Sequence, residues 1–233
     1  MSGRSASIAS LLVAVAGCGM TNLQTARTVP AGESRFTVGA GVIHNSDRGW
    51  GGQVPAIPVD VMYRRGATDQ IDWGVRLFMG EGLLGDVKWN VLRPDRRTAL
   101  AISAGLGAAN VPGIADSAGA QVASVPLTIT ASHTFPHGST PYGAVGYGSY
   151  WIFNYGTPDP TMHAAPRRWT GDGLLGLHAG IELATASGRA LLLEYVYARP
   201  IVDDPGDHYA FATNQFFMIA FHTGGPSVPT GSR

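Results

Sequence analysis

Three observations predict an all-β chain, folded as an antiparallel transmembrane β-barrel of about ten strands (8–12) in up-and-down order. Apolar side chains alternate with small or polar ones along segment after segment. The second face of those segments carries Gly, Ser, Thr and isolated charges instead of the Lys and Glu coat of a solvated sheet. The links between them alternate between tight turns and longer loops, the rhythm of a membrane barrel. Composition agrees: charged residues are 14% of the 233-residue chain, against roughly 25% in ordinary soluble proteins. The 32 glycines and 15 prolines speak for many turns and against long helices.

The elements follow in order. Phe36, Val38, Ala40 and Val42 share one face of the first strand. Val59, Val61 and Tyr63 alternate with Asp60 and Arg64 in the second. Ile71, Trp73, Val75 and Leu77 alternate with Asp72, Gly74 and Arg76, and Val87, Trp89 and Val91 with Asp86, Lys88 and Asn90. Val125, Leu127, Ile129 and Ala131 are interleaved with Ser124, Thr128, Thr130 and Ser132. Leu175, Leu177, Ala179, Ile181 and Leu183 alternate with Gly176, His178, Gly180 and Glu182. Leu191, Leu193, Tyr195 and Tyr197 enclose Glu194. Less regular strands are expected over Thr98–Ala109, Tyr142–Tyr155 and Tyr209–Phe221. A period of two sends neighbouring side chains to opposite faces, so each strand has one apolar and one polar side.

Tight turns are expected at 66–69, 93–96, 136–139 and 186–189, each carrying Gly or Pro. Longer links span 44–53, 110–119, 156–168 and 200–208, while 79–82 is short although it falls on the same end as the long ones. With the tight turns periplasmic, Phe36, Tyr63, Trp73, Trp89, Phe135 and Phe221 gather at one level. Trp151, Phe153, Trp169, Tyr195 and Tyr197 gather at another. Two aromatic levels match the interfacial girdles of such barrels.

The N-terminus reads as an address. Met1–Gly17 combines the basic Arg4 with the apolar stretch Ile8–Ala16, too short for a membrane helix of about 20 residues. The tetrad Val15-Ala16-Gly17-Cys18 resembles the bacterial lipobox, which implies an acyl anchor on Cys18 after removal of residues 1–17. In lipoproteins an Asp after the cysteine favours inner-membrane retention; here Gly19 follows, compatible with the outer membrane. Cys18 is the single cysteine, so no disulfide forms within the chain. The final strand, with Phe217, Ile219 and Phe221, resembles the C-terminal assembly signal of outer-membrane barrel proteins, although residues 222–233 follow it. These likenesses imply a small bacterial outer-membrane barrel with a lipoprotein leader, located in the outer membrane and lipid-anchored. The expected organisation is a leader over 1–17, a periplasmic tether over 18–34, the barrel over 35–223 and a tail over 224–233.

Chemistry is expected in the lumen. Asp60, Arg76, Asp86, Lys88, His178, Glu182 and Glu194 have inward parity, while Val75, Trp89, Leu127, Leu177 and Leu193 face lipid. Close charges of mixed sign in a narrow barrel pair with one another, because a buried unpaired charge costs several kcal/mol. The reading is a non-enzymatic barrel with a largely plugged polar lumen, structural or passing small solutes to a limited extent. Its partners are outer-membrane lipid, the acyl anchor and small solutes. No cofactor, metal or nucleic acid is expected: sixteen basic and sixteen acidic residues cancel, leaving no electrostatic footprint for nucleic acid. His133 and His137 share a ligand spacing suited to a helix, with Pro136 between them. Gly39-Ala40-Gly41 and Gly105-Leu106-Gly107 lack the third glycine of a dinucleotide loop. Two alternatives stand beside this reading. One is a lipid hydrolase built from His178, a hydroxyl such as Ser124, Thr128 or Ser132, and Glu182 as orienter. The other is a soluble β-sandwich tethered through Cys18.

Overall fold

A computed structural model describes residues 21–45, 59–78, 82–92, 96–111, 120–154, 170–185, 189–201 and 214–224. The leader and Cys18 lie outside the described residues, as do Trp169 and nearly all of the tail.

The described strands are β1 Ser34–Asn45, β2 Val59–Gly66, β3 Ile71–Phe78, β4 Gly82–Asn90 and β5 Thr98–Val111. They continue as β6 Ala120–His133, β7 Ser139–Asn154, β8 Thr170–Ala184, β9 Arg189–Pro200 and β10 Asn214–Thr223. Each pairs antiparallel with its neighbour in sequence, and β1 closes the sheet on β10, giving one closed barrel of ten strands in up-and-down order. The closing register sets Phe36 opposite Thr223 and Asn45 opposite Asn214. One continuous closed sheet is not two packed layers, so the tethered sandwich is ruled out. The tenth strand begins at Asn214; Tyr209–Thr213, expected within it, lie outside the described residues.

The wall has two ends, a turn end and a loop end, and it is lopsided. β2 and β3 are 8 residues long, whereas β7 runs for 16. Links from β2 to β3, β4 to β5, β6 to β7 and β8 to β9 mark the turn end, where β1 also begins and β10 finishes.

Alternation makes this barrel inside out relative to a soluble one. Val75, Leu77, Val87, Trp89, Leu127, Val145, Leu177, Leu193 and Ile219 are all exposed on the outer wall. Their strand neighbours Asp72, Gly74, Arg76, Lys88, Thr130, Ala144, His178, Glu194 and Met218 are buried inside. Phe36, Tyr63, Trp73, Trp89, Phe135 and Phe221 lie at the turn end, with Tyr63 and Trp73 edge to face at 5.9 Å between ring centroids. Nearer the loop end, Tyr195 and Phe217 pack at 4.9 Å.

The lumen is divided along its axis. Towards the turn end it is charged. Towards the loop end Phe78, Leu84, Tyr150, Leu174, Val196 and Phe216 form one buried apolar cluster with Leu23, beside the charges of Asp60, opposite Phe78, and Arg76, opposite Leu84. The walls also differ around the circumference. β5 to β7 point mostly small side chains inward, among them Ala99, Ala101, Ser103, Thr130, Ser132, Ala144 and Gly146. Side chains fill an eight-stranded barrel; ten strands with one small-residue wall leave room for something more.

Candidate functional site: the lumen and the segment inside it

That room is taken by the chain itself. Thr21–Thr25 are buried, and Leu23, Ala26 and Val29 are fully enclosed. The expectation of a periplasmic tether over 18–34 is therefore corrected: from Thr21 to Val29 the segment runs inside the barrel. Its sequence TNLQTARTV is mostly polar and lacks the period-two alternation of the strands, which reads like a linker. Yet an extended backbone buried in a lumen is stable once its N–H and C=O groups find partners, and here the wall supplies them.

Glu194 on β9 is the main fixture. Its Oε1 accepts the Asn22 N–H at 2.7 Å and its Oε2 the Leu23 N–H at 2.6 Å. It also accepts the Tyr142 hydroxyl and, at 3.2 Å, His178 Nδ1. A carboxylate offers about four acceptor positions, so this one is saturated. Because it can only accept, the Nδ1 of His178 carries the proton. Directly after these two amides Leu23 adopts φ 45°, a left-handed conformation unusual for a residue with a Cβ.

A second group sits near the turn end. Arg64 Nε donates to Asp72 Oδ1 at 2.9 Å, and Arg64 Nη1 donates to both Asp86 oxygens at 2.9 and 2.8 Å. Asp72 Oδ2 accepts the Val29 N–H at 2.8 Å and lies 3.4 Å from Lys88 Nζ. Lys88 in turn donates to the Arg27 carbonyl at 2.7 Å, to Gln24 Oε1 at 3.1 Å and to the Thr25 carbonyl at 3.3 Å. Higher in the lumen, Arg76 pairs with Asp60, its Nε donating to Oδ1 at 3.2 Å. Asp60 Oδ2 accepts the Thr21 hydroxyl at 2.9 Å, and Arg76 also donates to the Thr21 carbonyl. The small-residue wall receives the other side. Ala26 packs with Ala99 and Ala101, and its N–H reaches Ser132 Oγ at 3.2 Å. Asn22 Nδ2 reaches Thr130 Oγ1 at 3.2 Å.

Glu182 belongs to a looser group, 3.7 Å from Arg35 and 3.4 Å from His222 Nε2, while His222 Nδ1 meets Thr37 Oγ1 at 2.6 Å. The hydrolase arrangement is corrected on this point. Glu182 does not orient His178; Glu194 does. Ser132 and Thr130, two of the inward hydroxyls, hold the inner segment instead. A void of about 40 Å3 between Thr21, Arg76, Gly105, Pro126, Thr128 and His178 holds a few waters at most, far short of a lipid chain. His133 meets Thr98 Oγ1 at 2.9 Å, while His137 stacks on Phe135 at 5.6 Å, so the two imidazoles do not converge. Among the described residues no group of three or more His, Cys, Asp or Glu side chains is placed to hold a metal.

The inward polar set thus divides into four groups, and residues not singled out from the sequence complete each one. Arg64 and Asp72 complete the turn-end group, Arg35 and His222 surround Glu182, and Tyr142 and Thr21 meet Glu194 and Asp60. Inward parity marked Arg64 and Asp72 in advance. For Tyr142, the signal was Gly180 on the neighbouring strand: a Cβ there would sit 2.3 Å from the Tyr142 ring.

No protein-family model matches the chain, and no curated protein matches it. Solved structures do. Neisserial surface protein A is similar at 9% identity, over 82% of this chain and 95% of that one, with a TM-score of 0.39. The outer membrane protease OmpT of Escherichia coli is similar at 9% identity over 87% and 99%, with a TM-score of 0.47. The outer membrane protein OprG of Pseudomonas aeruginosa is similar at 12% identity over 85% and 98%, with a TM-score of 0.36. At these identities the likeness concerns the fold alone.

Proposed function

We propose that this chain is a lipid-anchored barrel of the bacterial outer membrane, non-enzymatic, whose lumen is closed by its own N-terminal segment. It serves as a structural element of the membrane or as a restricted route for small solutes. One observation carries the reading. An outer wall of exposed Val, Leu, Ile and aromatic residues surrounds a lumen in which Glu194, Asp60, Asp72, Arg76 and Lys88 bind Thr21–Val29. Apolar outside and polar inside suits a wall whose solvent is hydrocarbon. Every lumenal charge engaged with the segment is unavailable to a passing ion, so transport requires the segment to move.

Planar-bilayer recordings test this. The wild type is expected to be closed. A variant lacking residues 22–29, and a full-length Glu194→Ala/Asp72→Ala double variant, are expected to conduct. Heat-modifiable gel migration establishes that each has closed into a barrel. A wild type that conducts freely would overturn the plug, and so would closed variants that migrate as intact barrels.

A further inference from the structure

We infer that the N-terminus leaves the lumen at the loop end of the barrel, so that an acyl group on Cys18 is held at the membrane face opposite the tight turns. The direction of the inner segment carries this. Contacts made by successive residues climb the wall. The Pro30 carbonyl lies against Gly66 at the turn end, and the neighbouring Ala31 bridges to Gly66. Val29 binds Asp72, one residue into β3, and Arg27 and Thr25 bind Lys88, two residues from the end of β4. Asn22 and Leu23 bind Glu194, five residues up β9, and Thr21 binds Asp60, six residues up β2 from Gly66. The order is monotonic, so the chain traced backwards from β1 rises from the turn end and is still rising at Thr21.

Distances then decide where Cys18 can be. Six residues of a strand tilted by about 40° separate Asp60 from the turn end by roughly 15 Å. Three residues, from Thr21 back to Cys18, span at most about 11 Å. The way down is also occupied, because Ala26 and Val29 are fully enclosed below. The way up is short. β2 begins at Val59, one residue beyond Asp60, and β3 ends at Phe78, two residues beyond Arg76. The described ends of the strands beside Thr21 are thus a few ångströms away. An anchor in the leaflet at the turn end and a segment seated on Glu194 are mutually exclusive.

The consequence for lipid rests on the lipid-anchor reading, while the direction does not, and the test separates the two. One epitope is inserted between Gly19 and Met20, and reference epitopes are placed between Asp159 and Pro160 in the β7–β8 link and between Ser187 and Gly188 in the β8–β9 turn. Antibody labelling is compared on intact and on permeabilised cells. The N-terminal epitope is expected to label under the same condition as the β7–β8 epitope, whichever end of the barrel faces outward. Labelling together with the Ser187 epitope, or only after the barrel is denatured, would overturn the inference. Metabolic labelling with a radioactive fatty acid, compared with Cys18→Ser, reads the anchor separately. An unlabelled wild type removes the lipid and leaves the direction to the epitopes.

Discussion

The Oε2 of Glu194 accepts the Leu23 N–H at 2.6 Å across 171 residues of sequence. A left-handed backbone costs a non-glycine residue about 1–2 kcal/mol, and here the carboxylate offsets it by collecting two amides at once. Glu194→Gln keeps the shape but replaces one acceptor oxygen with a donor that opposes an N–H. Hydrogen bonds to a charged group contribute about 1.5–3 kcal/mol. The variant is therefore expected to lose about 2 kcal/mol, read from its urea midpoint in detergent micelles, with new protease cleavage inside 21–29.

Arg64 bridges Asp72 and Asp86. Arg64→Met leaves Asp86 without its cation and Asp72 with Lys88 alone, and breaking a buried pair from one side costs about 3–5 kcal/mol. Adding Asp86→Asn removes the carboxylate left without a cation. The double variant is expected to be more stable than Arg64→Met alone, measured in the same urea titration; equal stability would show that the two carboxylates do not share the guanidinium.

Gly66 lets the inner segment pass. A Cβ there would lie 2.0 Å from the Pro30 carbonyl oxygen and 2.4 Å from that of Val29, backbone atoms that cannot turn aside. Gly66→Ala is expected to lift the segment's lower end, destabilising the protein by about 1–3 kcal/mol, the range for an overpacked site, and raising bilayer conductance. Gly85→Ala is the matched control, since its Cβ would find its nearest neighbour at 4.0 Å.

On the outer wall, Leu127 and Leu177 are exposed midway along β6 and β8. Arg at either position is expected to cost roughly 2–4 kcal/mol when unfolding is measured from lipid bilayers. The same substitutions should cost much less in a water-soluble detergent micelle, where the side chain can reach water. Equal costs in both media would argue that hydrocarbon does not surround this wall.

How much of this was legible in the sequence depends on how local the cause is. Ten strands, their approximate bounds and the inward parity of Arg76, Lys88, His178 and Glu194 follow from a period of two. That signal lies within about ten neighbouring residues and needs no tertiary information. Pairing partners are another matter. Glu182 and Glu194 share the same parity and differ by one strand, yet one meets Arg35 and His222 across the β1–β10 closure and the other meets Asn22 and Leu23. Only the register of the closed sheet separates them.

Sequence alone therefore determined the wall: which residues form it, which face each presents, and that mixed charges point inward. Tertiary structure alone decided what fills the wall. Thr21–Val29 shows no alternation of two, because a segment buried along nearly all its length has no solvent face to alternate with. Its position is set by lumen width, by the small residues of β5 to β7, and by carboxylates and Lys88 waiting at the heights where its amides and carbonyls arrive.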